Sequence, residues 1–381
     1  MKRILALALS FAMLLGVAAC GDKAGTAQPS QSPAVQPSAG QDAPPAAPAD
    51  QVVIQIGHPD PEGENSRFDY TIKKINEKLQ ESCGGHFYFQ AVPNGQLGTE
   101  TDMLNGCSDG SVQAAMLSVD TFSNQIPMLQ LFSMPYLTNY YEQCFILLDD
   151  PDFMQTTRDT FAQEWNIQVL GGYMYNGPRM LASVKPIRSL EDCKDVLVRI
   201  TTNQIAQKTW EALGAIPTVV AFSECYTAFS QGVVDAIDCP VETQYICAFY
   251  EPAKYLCFTD EYDVLSIPLM NMDLYYSLTE EERGWIDEAF EYGVQMERSR
   301  ILESMDEVTR YMTDGTVASL ERCDIDRTQF QTATLSVHEE YYSILGGELF
   351  DWAYEKLDED NAAKGLPLWR DLAAWSDYAK G

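Results

Sequence analysis

The chain has 381 residues, 56 acidic against 25 basic, and a formal charge of −31. So acidic a surface repels phosphate backbones and anionic lipid headgroups, which excludes nucleic acid as a partner. The hydrophobic share of 46% is enough for sizeable cores, and residues 51–381 give room for about two domains.

The N-terminus reads Met1-Lys2-Arg3, then an uncharged, mostly apolar run from Ile4 to Ala19, then Cys20. A basic start, a short apolar run and small residues before a cut site make a secretory signal. The run is shorter than the ~20 residues needed to cross a bilayer as a helix. Val17-Ala18-Ala19-Cys20 resembles the bacterial lipobox, which implies cleavage before Cys20 and a lipid on its thiol. An ordinary signal peptide with a cysteine at the cut is the plainer alternative. Residues 1–19 are thus read as signal peptide and 20–50 as a lipidated cysteine with a disordered linker. That linker is mostly Ala, Pro, Gln, Ser and Gly, too poor in large apolar side chains to fold. It would hold a globular body off the membrane, and no later segment is apolar enough to span one.

The body opens with a strand, Gln51–Gly57, a helix from about Asn65 to Gln80 and a strand Phe87–Val92. Pro93-Asn94-Gly95 is turn chemistry, and a helix follows over Thr99–Cys107. The rhythm returns with strands near Ile167–Tyr175, Arg179–Val184 and Val196–Ile200, then a helix Asn203–Leu213. A strand Ile216–Val220, a helix Glu224–Gln231 and a strand near Val234–Ile237 complete it. Such alternation predicts an α/β protein with two parallel-sheet bodies in succession. Thr279-Glu280-Glu281-Glu282 is a capping box. Phe290, Val294, Ile301, Met305, Val308 and Met312 then recur at helical steps. One helix is expected over Glu280–Thr313, roughly 50 Å long and long enough to bridge two domains.

Catalytic chemistry is hard to find. The three histidines are His58, His86 and His338, and Cys83-Gly-Gly-His86 has no matching ligand pair elsewhere. No phosphate-cradling Gly-Lys loop and no Gly-x-Ser-x-Gly elbow occur. No cofactor and no metal are expected. Nine cysteines remain after Cys20, scattered and without a Cys-x-x-Cys pair, so buried packing is their expected role.

Two arginines stand out because they lie in apolar, strand-like sequence. They are Arg199, in Asp195-Val-Leu-Val-Arg199-Ile200, and Arg179, in Asn176-Gly-Pro-Arg179-Met-Leu181. A buried guanidinium needs a partner. That partner is either an internal carboxylate or an anionic ligand, which the planar fork of arginine meets in two parallel bonds.

Ordered fragments from about Val52 to Ala289 resemble one family. They are Gly95-Gln-Leu-Gly98 with Glu100, Phe132-Ser-Met-Pro-Tyr-Leu137, Tyr175-Asn-Gly-Pro-Arg179, Val198-Arg199-Ile200 and Ala221-Phe-Ser-Glu-Cys-Tyr-Thr-Ala228 with Gln231-Gly-Val-Val-Asp235. The series is similar to the solute-binding proteins of tripartite ATP-independent periplasmic (TRAP) transporters, the C4-dicarboxylate-binding family. The resemblance implies a two-lobed, Venus-flytrap fold of the periplasmic-binding-protein kind, with hinge strands and a lobe-bridging helix. Lobe I would span 51–176, with about 265–304 returning to it; lobe II would span 177–264, with about 305–381 returning.

The same resemblance implies that Arg199 carries the salt bridge to a ligand carboxylate, that Arg179 assists and that Phe222 stacks on the ligand. Cys239 stands where the family has a ligand-binding asparagine. Ser118 stands where sialic-acid binders have a glutamate and Pro59 where they have an asparagine, which disfavours sialic acid. His58 completes the candidate site. The implied function is capture of a small organic acid outside the cytoplasm by a lipid-anchored monomer, and its delivery to TRAP permease subunits in the membrane. A ligand sensor presenting the acid to a receptor or sensor kinase is the first alternative; an enzyme on the same scaffold is the second.

Overall fold

The computed structural model describes residues 50–369 and 371. The signal segment, Cys20 and residues 21–49 of the linker lie outside the described residues. Among the described residues eleven strands form: β1 Val52–Gly57, β2 Phe87–Val92, β3 Ala114–Ser118, β4 Ile167–Val169, β5 Met174–Ser183 and β6 Leu197–Ile200, then β7 Ile216–Val219, β8 Ala236–Pro240, β9 Tyr255–Phe258, β10 Asp263–Asn271 and β11 Glu321–Asp324. They lie side by side as β2-β1-β3-β10-β5-β8-β6-β7, with β4 beside β10 and β9 between β5 and β11.

The order contains the same winding twice. β1 lies between β2 and β3, parallel to both, and β6 lies between β7 and β8, parallel to both. Helix Arg67–Cys83 connects β1 to β2, and helix Gln204–Ala212 connects β6 to β7. Each half therefore has its own βαβ unit and its own core. Ile54, Ile56, Phe68 and Phe89 fill one face of the first half, and Val198, Ile200 and Trp210 fill one face of the second. β5 belongs to both halves. Its Met174–Pro178 stretch pairs with β10, and Arg179–Ser183 pairs with β8 and β9.

The expected long helix is present as Glu280–Thr313. Its capping box forms: Thr279 Oγ1 accepts the Glu282 N–H at 3.3 Å, and Glu282 accepts the Thr279 N–H at 2.8 Å. The helix packs on Arg67–Cys83, on β5 and on helix Val241–Ile246, so it runs along both halves. Gly293 permits the first of these contacts, because a Cβ there would stand 2.6 Å from Ile75 Cγ1. No described helix is long and apolar enough to cross a membrane.

The expected strand over Ile167–Tyr175 is broken into β4 and the start of β5. Gly171 turns the chain at φ +65°, and the Phe290 backbone lies only 2.8 Å from where a Cβ would be. β3 and β10 carry weak sequence signals for different reasons. β3, Ala-Ala-Met-Leu-Ser, is buried throughout and does not alternate. β10 contains Pro268, a residue that argues against a central strand, yet it pairs with Met116 of β3. The residues after the long helix divide between the halves. Helix Arg327–Leu345 packs on Gln204–Ala212, whereas helix Gly347–Ala363 reaches Tyr141–Leu148 in the first half. Gln143 Nε2 donates to Asn361 Oδ1 there at 2.7 Å.

The long helix also carries a buried acid. Glu297 is fully buried, and one of its oxygens accepts the Tyr175 N–H of β5 at 3.2 Å. Burial raises its pKa from 4.5 to about 8. Between those values the folded chain keeps a proton that the unfolded chain has lost. The stability contributed by neutral Glu297 is thus complete at acid pH and is lost as pH rises through about 8. Glu297→Gln should raise the melting temperature at pH 8.5 by several degrees, at ~2–4 °C per kcal/mol, and change it little at pH 5. A variant with the same pH slope as the parent would contradict this assignment.

Candidate functional site

The carboxyl ends of β1 and β2 face those of β6 and β7 across a cavity of about 510 Å³. Ligands of α/β sheets bind at such carboxyl ends, where the winding reverses. From the first half, Pro59, the turn Asn94–Gly98, Thr99–Asp102 and Thr121 line it. From the second come Arg199, Thr201, Thr202 and the segment Val219–Ser223.

Each side chain is placed by simple local chemistry. Asn94 and Gly95 both take positive φ, and the Gly95 N–H donates to His58 O at 3.0 Å, so the turn folds back on the end of β1. Thr99 then caps helix Glu100–Asp109 in a box with Asp102, setting Glu100 at the first helical position. Glu100 accepts the Ser118 N–H at 2.7 Å. Burial and the nearby Asp120 raise its pKa to about 7, against the lowering effect of that hydrogen bond.

In β6, alternation sends Val198 and Ile200 into the core beneath helix Gln204–Ala212 and turns Arg199 to the opposite face. The guanidinium is 6.0 Å from the centre of the Phe222 ring. Its Nε and one terminal nitrogen donate to Val220 O at 3.1 and 2.9 Å. No carboxylate among the described residues pairs with it, although Arg199 is 97% buried, being 3% exposed.

Arg179 is placed differently. It starts the second stretch of β5, and its guanidinium contacts Asp120 directly and lies 3.5 Å from Asp238 Oδ1. It also donates to the Asp238 carbonyl at 2.5 Å and stacks 4.8 Å from the Tyr262 ring centre. These internal partners take up its charge, and it does not line the cavity. Phe222 does line it, with an edge-on contact to Phe249 at 6.5 Å.

The remaining candidates lie off the cavity wall. Cys239 is buried in an apolar cluster with Phe229 and Phe249, and burial pushes its thiol well above the usual range. Ser118 ends β3 and serves Glu100 through its backbone. His58 is fully buried, with Nε2 3.0 Å from Asp69 and its ring 5.3 Å from Phe68. The neighbouring Pro59 is the cavity residue.

Motif reading did not single out the hydroxyl groups of Thr99, Thr101, Thr121, Thr201, Thr202 and Ser223, which surround the cavity. Nothing in their spacing marks them, since they come from four separate segments. Glu100 stands next to the recognisable turn, but its burial is a tertiary property. Among the described residues no group of three or more His, Cys, Asp or Glu is arranged to hold a metal ion. All nine body cysteines are free thiols, seven of them buried.

Comparison with known proteins agrees with this architecture. Residues 61–344 match the model of the DctP family, bacterial extracellular solute-binding protein family 7. The C4-dicarboxylate-binding periplasmic protein DctP of Rhodobacter capsulatus is 23% identical over 79% of this chain and 89% of its own. The sialic acid-binding periplasmic protein SiaP of Vibrio cholerae is 26% identical over 57% and 67%. Among solved structures, the sugar acid binding protein DctPAm of Advenella mimigardefordensis, in complex with galactonate, superposes with a TM-score of 0.76 at 19% identity. That match covers 81% of this chain and 98% of the other. A TRAP periplasmic solute-binding protein of Shewanella oneidensis with bound succinate gives a TM-score of 0.74 at 20% identity, covering 81% and 99%. With the α/β halves, the crossing strand β5 and the long bridging helix already in place, the chain belongs to family 7 of the bacterial extracellular solute-binding proteins, a family that binds and transports rather than catalyses.

Proposed function

We propose that the chain captures a hydroxylated monocarboxylate between its two halves and delivers it to a TRAP permease. The observation that carries this reading is the contrast between the two buried arginines. Arg179 is neutralised by Asp120 and Asp238, whereas Arg199 lines the cavity with only a carbonyl as partner. A guanidinium in that state is a site for one carboxylate, held by charge-assisted bonds. The rest of the lining favours hydroxyl groups over a second carboxylate. Six threonine and serine side chains are joined there by Asp102, which repels a second anion, and by Glu100, whose oxygens bond alcohols. Phe222 supplies an apolar face for a carbon chain. Relatives in this family include proteins named for C4-dicarboxylate and for 2,3-diketo-L-gulonate binding, so both acid classes are chemically within its reach.

Capture would proceed by closure of the halves, with β5 and the long helix as the connections. Direct bonds already join the loops on either side of the cavity. Thr202 Oγ1 donates to Thr121 O at 3.0 Å, and Asn203 Nδ2 donates to Asp120 O at 3.2 Å and to Ser133 Oγ at 2.7 Å. A ligand bridging Arg199 and Glu100 would add to this set and favour the closed form. Outside the described residues, Cys20 would carry the lipid that keeps the protein beside its permease.

In a thermal-shift screen of the purified protein, galactonate or glucuronate at a hundred times its dissociation constant should stabilise the fold by about 2.7 kcal/mol. Succinate should shift it less, and a larger succinate shift would overturn the monocarboxylate reading. Arg199→Ala should weaken the best acid by at least ~100-fold, equivalent to about 2.7 kcal/mol, and Arg199→Lys by less. Undiminished affinity in Arg199→Ala would remove the assignment. Glu100 sets the pH dependence. A bound anion favours its neutral form, so binding takes up a proton and affinity should rise as pH falls through about 7. Calorimetric titrations from pH 5.5 to 8.5 should show that rise, and Glu100→Gln should flatten it. For the anchor, Cys20→Ser should release the protein from the membrane fraction; continued retention would refute lipidation at Cys20.

A further inference from the structure

A second cavity, of about 150 Å³, shares no lining residue with the acid-binding one. It lies where the connections between the halves converge. Tyr175 and Pro178 come from β5, Asp263 starts β10, and Met305 comes from the long helix. Tyr140, Tyr141, Tyr262, Asp260 and Arg327 complete the parts of its wall that matter here.

The wall carries more acidic than basic side chains. Asp263 is satisfied as an acceptor, taking the Tyr175 hydroxyl at 2.8 Å and the Thr138 hydroxyl at 3.0 Å. Asp260 is not: its Oδ1 is shielded from solvent and has no hydrogen-bond partner. Burial raises Asp260 to about 6, so it is still an anion at pH 7.5. Among the described residues Arg327 is the one cation in the wall, and it gives its terminal nitrogens to backbone carbonyls, Asp260 O at 3.1 Å and Thr138 O at 2.6 Å. Two acidic side chains thus face one guanidinium, and Asp260 Oδ1 is left without a partner.

The surroundings are aromatic. Tyr262 and Tyr140 already carry a cation on one face, Arg179 at 4.8 Å and Lys364 at 4.1 Å. Among the described residues no cation stacks on Tyr141 or Tyr175, which stand 6.4 Å apart between ring centres. Tyr141 is 37% exposed and forms part of the mouth. A bare metal ion suits this wall poorly, because it demands a shell of oxygen ligands and would leave most of the volume empty. An organic ammonium suits it well: it is weakly hydrated, is drawn to aromatic faces and pairs with a carboxylate. A cavity of about 150 Å³ admits only a small guest.

We propose that this hinge-side cavity is a binding site for a small organic ammonium ion, separate from the acid site. Asp260 supplies the counter-charge, and Tyr141 and Tyr175 supply the aromatic wall. The test is calorimetric titration of the purified full chain with the methylammonium to tetramethylammonium chlorides, against sodium chloride at equal ionic strength. At least one member should bind saturably with one site per chain. Asp260→Asn should weaken it tenfold or more, and so should Tyr141→Ala, a change near the surface that spares the core if the first variant folds poorly. Arg199→Ala should leave it unchanged, which separates this site from the acid site. Absence of saturable binding, or equal binding in both cavity variants, would overturn the proposal.

Discussion

The buried charge of Arg179 is the constraint around which the two halves are arranged. Its guanidinium begins the second stretch of the crossing strand β5, and it draws Asp120 from the segment after β3 and Asp238 from β8. Around this pair lie Tyr262, stacked on the guanidinium, and Trp210, which donates to Asp238 at 3.1 Å. Glu261 completes the group. Burial and the adjacent Asp238 push its carboxyl well above the usual range. Removing one partner from such a network leaves an uncompensated buried charge, which is far costlier than never having buried the pair.

That arrangement also explains how one fold can hold two buried arginines in different roles. Arg179 lies where strands from both halves meet and carboxylates are available on either side. Arg199 lies at the end of β6, beyond the reach of any of them, and its nearest acceptor is the Val220 carbonyl. A carbonyl satisfies donor geometry without cancelling charge. The positive field of Arg199 is therefore directed into the cavity of a strongly acidic protein, where an anion would otherwise be repelled. In the proposed site, threonines and Glu100 on the facing wall would then set which groups can accompany the carboxylate.

The connecting elements hold further buried polar groups that packing alone does not require. Glu297 on the long helix meets the backbone of β5, and Arg67 reaches Thr243 at 2.9 Å from the opposite half. Such contacts are directional, whereas apolar packing is tolerant. They define a particular angle between the halves, and they lie beside the strand and helix that connect them.

Much of this was legible in the chain itself. Turn residues, capping boxes and alternation located β1, β2, β6 and β7 and the helix Glu280–Thr313 within a residue or two, because those signals are local. The same locality made Arg199 and Arg179 conspicuous and equal: each is a charge in an apolar strand, and the sequence contains no statement of which carboxylate lies beside which. Only the tertiary structure separates them, since Asp120 and Asp238 lie 59 residues from Arg179 along the chain, Asp238 meeting it through the pairing of β5 with β8 and Asp120 from the segment after β3. The cavity hydroxyls were hidden for the same reason, coming from segments brought together by the two windings. Burial decided the rest. It placed Cys239 and His58 inside, brought Pro59 and Glu100 to the wall, and broke the expected Ile167–Tyr175 strand where the backbone of Phe290 leaves room only for glycine. Sequence by itself determined the elements; contact between distant segments determined which buried guanidinium is left without a carboxylate, because free charge is a property of neighbours and not of residues.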